Sequence, residues 1–247
     1  MAIKIIGTSH ISKQSIKDII DEVSANRPDI IALELDVRRT IALTSKDPKN
    51  KINLKQIKLI GFKGFIFAKV GQYFQEKMGQ MVGIKPGSEM KKALLLAHKE
   101  KIAVALIDQP IEITLRNFSK TLTWKEKFNF VKDFFKGIFQ REKQIQELGL
   151  ENLDLSKVPE EELIEKLLSQ LNKNYPNIYK SLVSDRNRFM SKALLKLQRN
   201  NPNKNILAIV GAGHKKEMNR IIAKNWHKLN LPENVPEHEK IKPEDLV

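Results

Sequence analysis

Four short apolar runs stand out from a chain that is otherwise polar or patterned at helical spacing: Ile3-Lys4-Ile5-Ile6, Asp29 to Leu35, Ile102 to Asp108, and Ile206 to Val210. Compact runs rich in Ile, Val and Leu are what parallel strands covered on both faces look like in sequence. Between the first two, Ser12 to Asn26 carries Ile16, Ile19, Ile20 and Val23 at helical spacing, and Arg27-Pro28-Asp29 closes it. Strand, helix and strand in that order make a βαβ unit, whose crossover is right-handed in nearly all cases. Lys46 to Lys58 is polar and lysine-rich and reads as an exposed loop. Leu59 to Met81 places Phe62, Phe65, Ile66, Val70, Phe74 and Met78 on one side, the pattern of a packed helix more than of a membrane-surface helix. Pro86-Gly87-Ser88 opens a helix from Glu89 to Lys101, and Pro110 stops the third strand. From Ile111 to Arg199 the pattern is helical throughout, with breaks near Thr121, Gly149 to Lys157 and Tyr175-Pro176. The last strand leads into a helix from Lys215 to about His227 and then a Pro-rich tail.

These elements predict one α/β domain over residues 1–230, with residues 231–247 as the tail. Its centre is a mostly parallel sheet flanked by helices, and the long helical insertion over residues 111–200 caps the carboxyl edge of that sheet.

Composition narrows the chemistry. The 247 residues are 41% hydrophobic, enough for a real core, and contain no cysteine. That excludes disulfides, thiolate metal sites and cysteine nucleophiles together, leaving His, Asp and Glu as metal ligands. A formal charge of +15 favours anionic partners. The lysines are spread along the chain without a compact basic block, which fits contact with an anionic membrane surface and not a specific nucleic-acid reader. The first strand begins within three residues of the start, leaving no room for a secretory signal peptide. The chain has no uninterrupted apolar run of about 18 residues. As given it reads as soluble, either cytoplasmic or attached to a membrane through a C-terminal part beyond it, and an oligomer is left open.

The candidate chemistry gathers where the strands end. Gly-x-x-His occurs twice, as Gly7-Thr8-Ser9-His10 and Gly211-Ala212-Gly213-His214, each directly after an apolar run, although the chain has only five histidines. Glycine permits a sharp turn as a strand ends and presents the histidine at the carboxyl edge, where open α/β sheets bind ligands. Glu34 and Asp108 stand at or near the carboxyl ends of the other two runs. Imidazole plus carboxylate suits Zn²⁺, Mn²⁺ or Co²⁺. Each residue also has a plainer reading. The histidines can be turn or N-cap residues, and Glu34 can pair with Arg38 or Arg39. Asp108 can cap the turn at Gln109-Pro110, and Glu89 can sit in a helix first turn for the dipole alone. Arg116 and Asp185-Arg186-Asn187 lie in helical patterns where solvated faces explain most charges. His98, His227 and His238 read as ordinary helix or tail residues.

The same residues resemble the TraB/PrgY/Tiki family, also called the pheromone-shutdown family and related to the ChaN-like and erythromycin-esterase-like group. The resemblance runs from Ile3 to about Trp226. It rests on both Gly-x-x-His motifs, Glu34, Pro86-Gly87-Ser88-Glu89-Met90, Leu106 to Ile111, Arg116 and Arg186-Asn187-Arg188-Phe189-Met190. It implies a divalent-metal-dependent hydrolase, a peptidase acting on a peptide or signalling peptide. His10, His214, Glu34 and Glu89 would be the metal ligands. Glu34, Glu89, Arg116, Arg186 and Asn187 would be the catalytic set, with the arginines holding an anionic group or the developing oxyanion. The alternative within the same resemblance is a non-catalytic module that binds and sequesters a peptide. Gln109 and Asp185 depart from the arginine and glutamate usual in the family at those positions.

Overall fold

The computed structural model describes residues 3–9, 12–45, 87–123, 125–126, 129 and 157–226. The expected loop at Lys46 to Lys58, the helix at Leu59 to Met81, His227 and the C-terminal tail lie outside the described residues.

The four apolar runs form strands β1 (Ile3–Thr8), β2 (Ile30–Leu33), β3 (Ala103–Leu106) and β4 (Ile206–Gly211). They make one four-stranded sheet in the order β1-β4-β2-β3. Every pairing is parallel, with Ile3 opposite Ile206, Ile30 opposite Ile206 on the other side, and Ile30 opposite Ala103. The central strands β2 and β4 are buried at every residue. This is why their sequences run apolar without alternation.

Side chains alternate between the two faces of a strand, and two cores result. Ile31, Leu33, Leu207 and Ile209 pack with α1 (Lys13–Asn26) and with the helix that precedes β3, through Ile19, Val23, Met90 and Leu94. Their neighbours Ile30, Ala32, Ile206, Ala208 and Val210 pack on the opposite face with Met190, Leu194, Met218 and Ile222. Those four residues belong to the last helix before β4 and the helix that follows it. A mostly parallel sheet flanked by helices is therefore what the chain forms.

In chain order the remaining helices are α2 (Val37–Thr44), α3 (Ser88–Lys99), α4 (Ile111–Thr121), α5 (Glu161–Asn174), α6 (Pro176–Tyr179), α7 (Asp185–Asn200) and α8 (Ala212–Asn225). Local chemistry sets their ends. Ser12 caps α1 by accepting the Ser15 N–H at 3.3 Å, and Arg27, with φ 31°, turns the chain out of it. Helix α3 stops at Lys99, short of the expected Lys101. Lys101 takes a left-handed conformation (φ 54°), and Ile102 N–H returns to Ala97 O at 2.8 Å, a Schellman closure. At its other end α3 is preceded by Gly87 at φ 81°, where a Cβ would also meet Leu43 Cδ2 at 2.9 Å.

Among the described residues, the helices between β3 and β4 bring Arg186 and Asn187 to the carboxyl edge, as the pattern predicts, with breaks at Thr121 and at Tyr175-Pro176. Two features were not expected. Helix α2 follows β2 directly, capped by Asp36, whose carboxylate accepts the Arg39 N–H at 2.9 Å. A π-helical turn, Lys180–Ser184, joins α6 to α7 and places Arg186 at the start of the long helix.

Candidate functional site

Strand β2 continues by one residue beyond its ladder: Glu34 N–H donates to Ile209 O at 3.1 Å, so the Glu34 side chain emerges at the carboxyl end of the sheet centre. Only 2% of it is exposed. One carboxylate oxygen accepts the Gly211 N–H at 2.5 Å, at the turn from β4 into α8. The other pairs with the Arg186 guanidinium. Neither Arg38 nor Arg39 is its partner. Arg38 pairs with Glu112 across to α4, and Arg39 donates to Asp108 Oδ2 at 2.7 Å.

Asp108 arrives at the same edge from β3. Its Oδ1 accepts the Gln109 N–H at 2.9 Å, the turn-capping role open to it in sequence, and also Arg186 Nε at 3.1 Å. Its Oδ2 accepts Arg186 Nη2 at 2.6 Å. Gln109, where the resemblance leads to an expectation of arginine, turns its amide to Thr114 Oγ1 at 2.7 Å. The cationic partners of Asp108 come from α2 and α7 instead.

His214 lies inside the first turn of α8, which begins three residues before the expected Lys215. The motif glycine at the other copy explains the tight entry: a Cβ on Gly7 would come within 3.0 Å of Ala212 Cα. The imidazole is buried. Its Nδ1 is 2.6 Å from Asn187 Oδ1, and its Nε2 is 3.2 Å from Arg186 Nη1 and 3.5 Å from Glu34 Oε1. An amide oxygen only accepts and a guanidinium only donates. The bonding pattern therefore assigns the proton to Nδ1 and leaves the Nε2 lone pair facing Arg186 and Glu34.

Arg186 is the hub. Its Nε donates to Asp108, Nη1 to Leu182 O at 3.2 Å and to His214, and Nη2 to Glu34 and to Asp108. A guanidinium carries five N–H donors, and these acceptors take all of them. Burial disfavours its charge, but the Glu34 and Asp108 carboxylates more than offset this and raise its pKa above the ordinary arginine value. The π-helical turn contributes directly, since Leu182 lies within it.

Three of the four strand-end residues, Glu34, Asp108 and His214, thus meet at one place, with Arg186 and Asn187 from the helical insertion. His10 lies outside the described residues. Glu89 is buried in the first turn of α3, where the dipole favours a carboxylate, and is not among the partners of Arg186. Arg116 is exposed on α4 and joins none of these bonds. Asp36 was not singled out in sequence. Beyond capping α2, its second oxygen accepts the Ile111 N–H at 3.2 Å and so ties α2 to the start of α4. The signal for it was an aspartate three residues before Arg39 at a strand end.

The donor chemistry here suits a divalent ion in type. A ligating histidine commonly gives its other N–H to a carbonyl oxygen, which fixes ring and tautomer, and Asn187 does this for His214. Two ligands about 2.0–2.2 Å from one ion can span the 3.5 Å between His214 Nε2 and Glu34 Oε1. Among the described residues, no group of three or more His, Asp or Glu side chains is arranged to hold a metal. Among the described residues, too, no helix is long and apolar enough to cross a membrane.

Residues 2–225 match the model of the TraB/PrgY/gumN family. An uncharacterized protein of Methanocaldococcus jannaschii is 37% identical over 235 residues, covering 94% of this chain and 56% of its own length. TraB domain-containing proteins of mouse and human are 22% and 21% identical over 93% of this chain, which spans 64% of each. The chain thus corresponds to somewhat over half the length of these relatives. With a family match over nearly all its residues, the chain belongs to the TraB/PrgY/gumN family.

Proposed function

We propose that the chain is a hydrolase, acting on peptide bonds with the help of a divalent ion such as Zn²⁺, Mn²⁺ or Co²⁺, and that its site is the carboxyl edge around His214 and Glu34. The observation that carries the reading is the Asn187–His214 hydrogen bond, which keeps the proton on Nδ1 and aims Nε2 toward Glu34. In this reading His214 and Glu34 hold the ion with His10 and Glu89. When bound, the ion supplies a Lewis acid and a water of lowered pKa.

The chain's own residues do the rest. Asn187 fixes the imidazole, and the Gly211 N–H fixes the far oxygen of Glu34. Glu89 is the candidate general base where it is not an ion ligand, and exposed Arg116 is available to an anionic group on the substrate. The lysine excess would assist contact with an anionic membrane surface. The test is a peptide library incubated with each ion, with and without chelator, for wild type and His214→Ala. Ion-dependent cleavage lost on chelation and in the variant supports the reading. Cleavage unaffected by both would end it.

A second reading is a module that binds and holds a peptide without turnover. It is favoured by one feature: the donors of Arg186 are all spent inside the protein. As placed, Arg186 has no N–H left for an oxyanion. Peptide retention without cleavage in the same assay would select this reading.

A further inference from the structure

Arg186 occupies the space between the groups just proposed as ion ligands. Its Nη1 stands on the single Nε2 lone pair of His214 at 3.2 Å, and its Nη2 is paired with Glu34 Oε1. An ion about 2.1 Å from Nε2 along that lone pair would lie within roughly 1–2 Å of Nη1, so the two cannot coexist. We propose that Arg186 is the site's resident cation, and that a divalent ion binds at His214 and Glu34 only by displacing its guanidinium. This rests on the reading of the site as an ion site.

Charge and burial support exclusivity. Both carboxylates paired with Arg186 have side chains 2% exposed, and the arginine side chain is itself 14% exposed. Two buried carboxylates require compensating positive charge. Arg39 supplies part of it to Asp108. Glu34 takes its ionic partner from Arg186, supplemented by the Gly211 N–H. An arriving ion would replace that compensation while the guanidinium gives up bonds to Glu34, His214, Asp108 and Leu182. The ion therefore competes with a preformed set of bonds, and its apparent affinity is lowered accordingly. The site is closed at rest, and loading it requires a rearrangement at the start of α7.

The experiment is calorimetric titration of the full chain with ZnCl₂ and with MnCl₂, for wild type, Arg186→Gln, His214→Ala and the double variant. Arg186→Gln should bind one ion about tenfold or more tightly than wild type, and His214→Ala should abolish that binding in either background. If wild type binds through His214 and Arg186→Gln binds no more tightly, the displacement proposal falls while the ion-site reading stands. If no form binds either ion, both fall. Because Arg186→Gln leaves buried carboxylates exposed to misfolding, the Arg186 Nε–H is also followed by NMR in wild type. Its exchange should be slow without ion, through the bond to Asp108, and become fast at saturating Zn²⁺. An Nε–H signal unchanged by bound ion would overturn the proposal.

Discussion

Replacing Arg186 by methionine keeps a long flexible side chain but removes the cation from the centre of the cluster. Glu34 then loses its guanidinium partner and keeps the Gly211 N–H, while Asp108 retains Arg39 and the Gln109 N–H. Breaking a buried ion pair from one side costs about 3–5 kcal/mol, because the remaining charge stays buried without compensation. For a domain of this size, with a urea m-value of about 3 kcal/mol/M, the midpoint of unfolding should fall by roughly 1–1.7 M. Adding Glu34→Gln should recover about half of this loss or more, since the stranded charge is gone and Asp108 is still paired. Urea unfolding followed by circular dichroism at neutral pH measures both. An Arg186→Met unfolding free energy within about 0.5 kcal/mol of wild type, the range of an ordinary surface change, would refute the claim that Arg186 neutralises the site. So would a Glu34→Gln change that adds its own full cost on top, because groups in one network are not independent.

Gly7→Ala should cost about 1–3 kcal/mol by overpacking, since its Cβ would sit 3.0 Å from backbone Ala212 Cα; an unchanged unfolding midpoint would contradict that close approach. Asn187→Leu should release the His214 tautomer, so that long-range ¹H–¹⁵N spectra lose the pure Nδ1–H pattern, whereas Asn187→Asp should keep it. Glu126 accepts hydrogen bonds from Asn177 and Thr123, which outweigh the opposing effect of burial and lower its pKa below 4.5. A depressed carboxylate pKa contributes stability that is complete above the unfolded value and lost as pH falls through the folded one. Glu126→Gln should therefore flatten the stability profile below about pH 5, and parallel wild-type and variant profiles there would rule this out.

The sheet was legible because a parallel strand buried on both faces cannot alternate, and Glu34, Asp108 and His214 were legible because they stand where those runs end. Helix α2 was not. Its apolar residues Val37 and Ile41 are exposed, Thr40 is its buried residue and Leu43 packs partly buried against the core, too little to mark an inward-facing stripe in sequence. The partner of Glu34 was equally hidden. Arg38 and Arg39 are its neighbours in sequence, yet the turn at Asp36 directs them to Glu112 and Asp108, and the true partner lies 152 positions away. The link between His214 and Asn187 depends on where the π-helical turn sets the start of α7, a one-residue change in helical register that leaves no trace in hydrophobic periodicity.

The proposed function places a divalent ion at the carboxyl edge around His214. Equilibrium dialysis of the full chain against excess Zn²⁺, beside the His10→Ala/His214→Ala double variant, decides whether it binds there. One ion per wild-type chain at saturating Zn²⁺, and none in the folded double variant, is the expected result. Equal ion content in the two would contradict it.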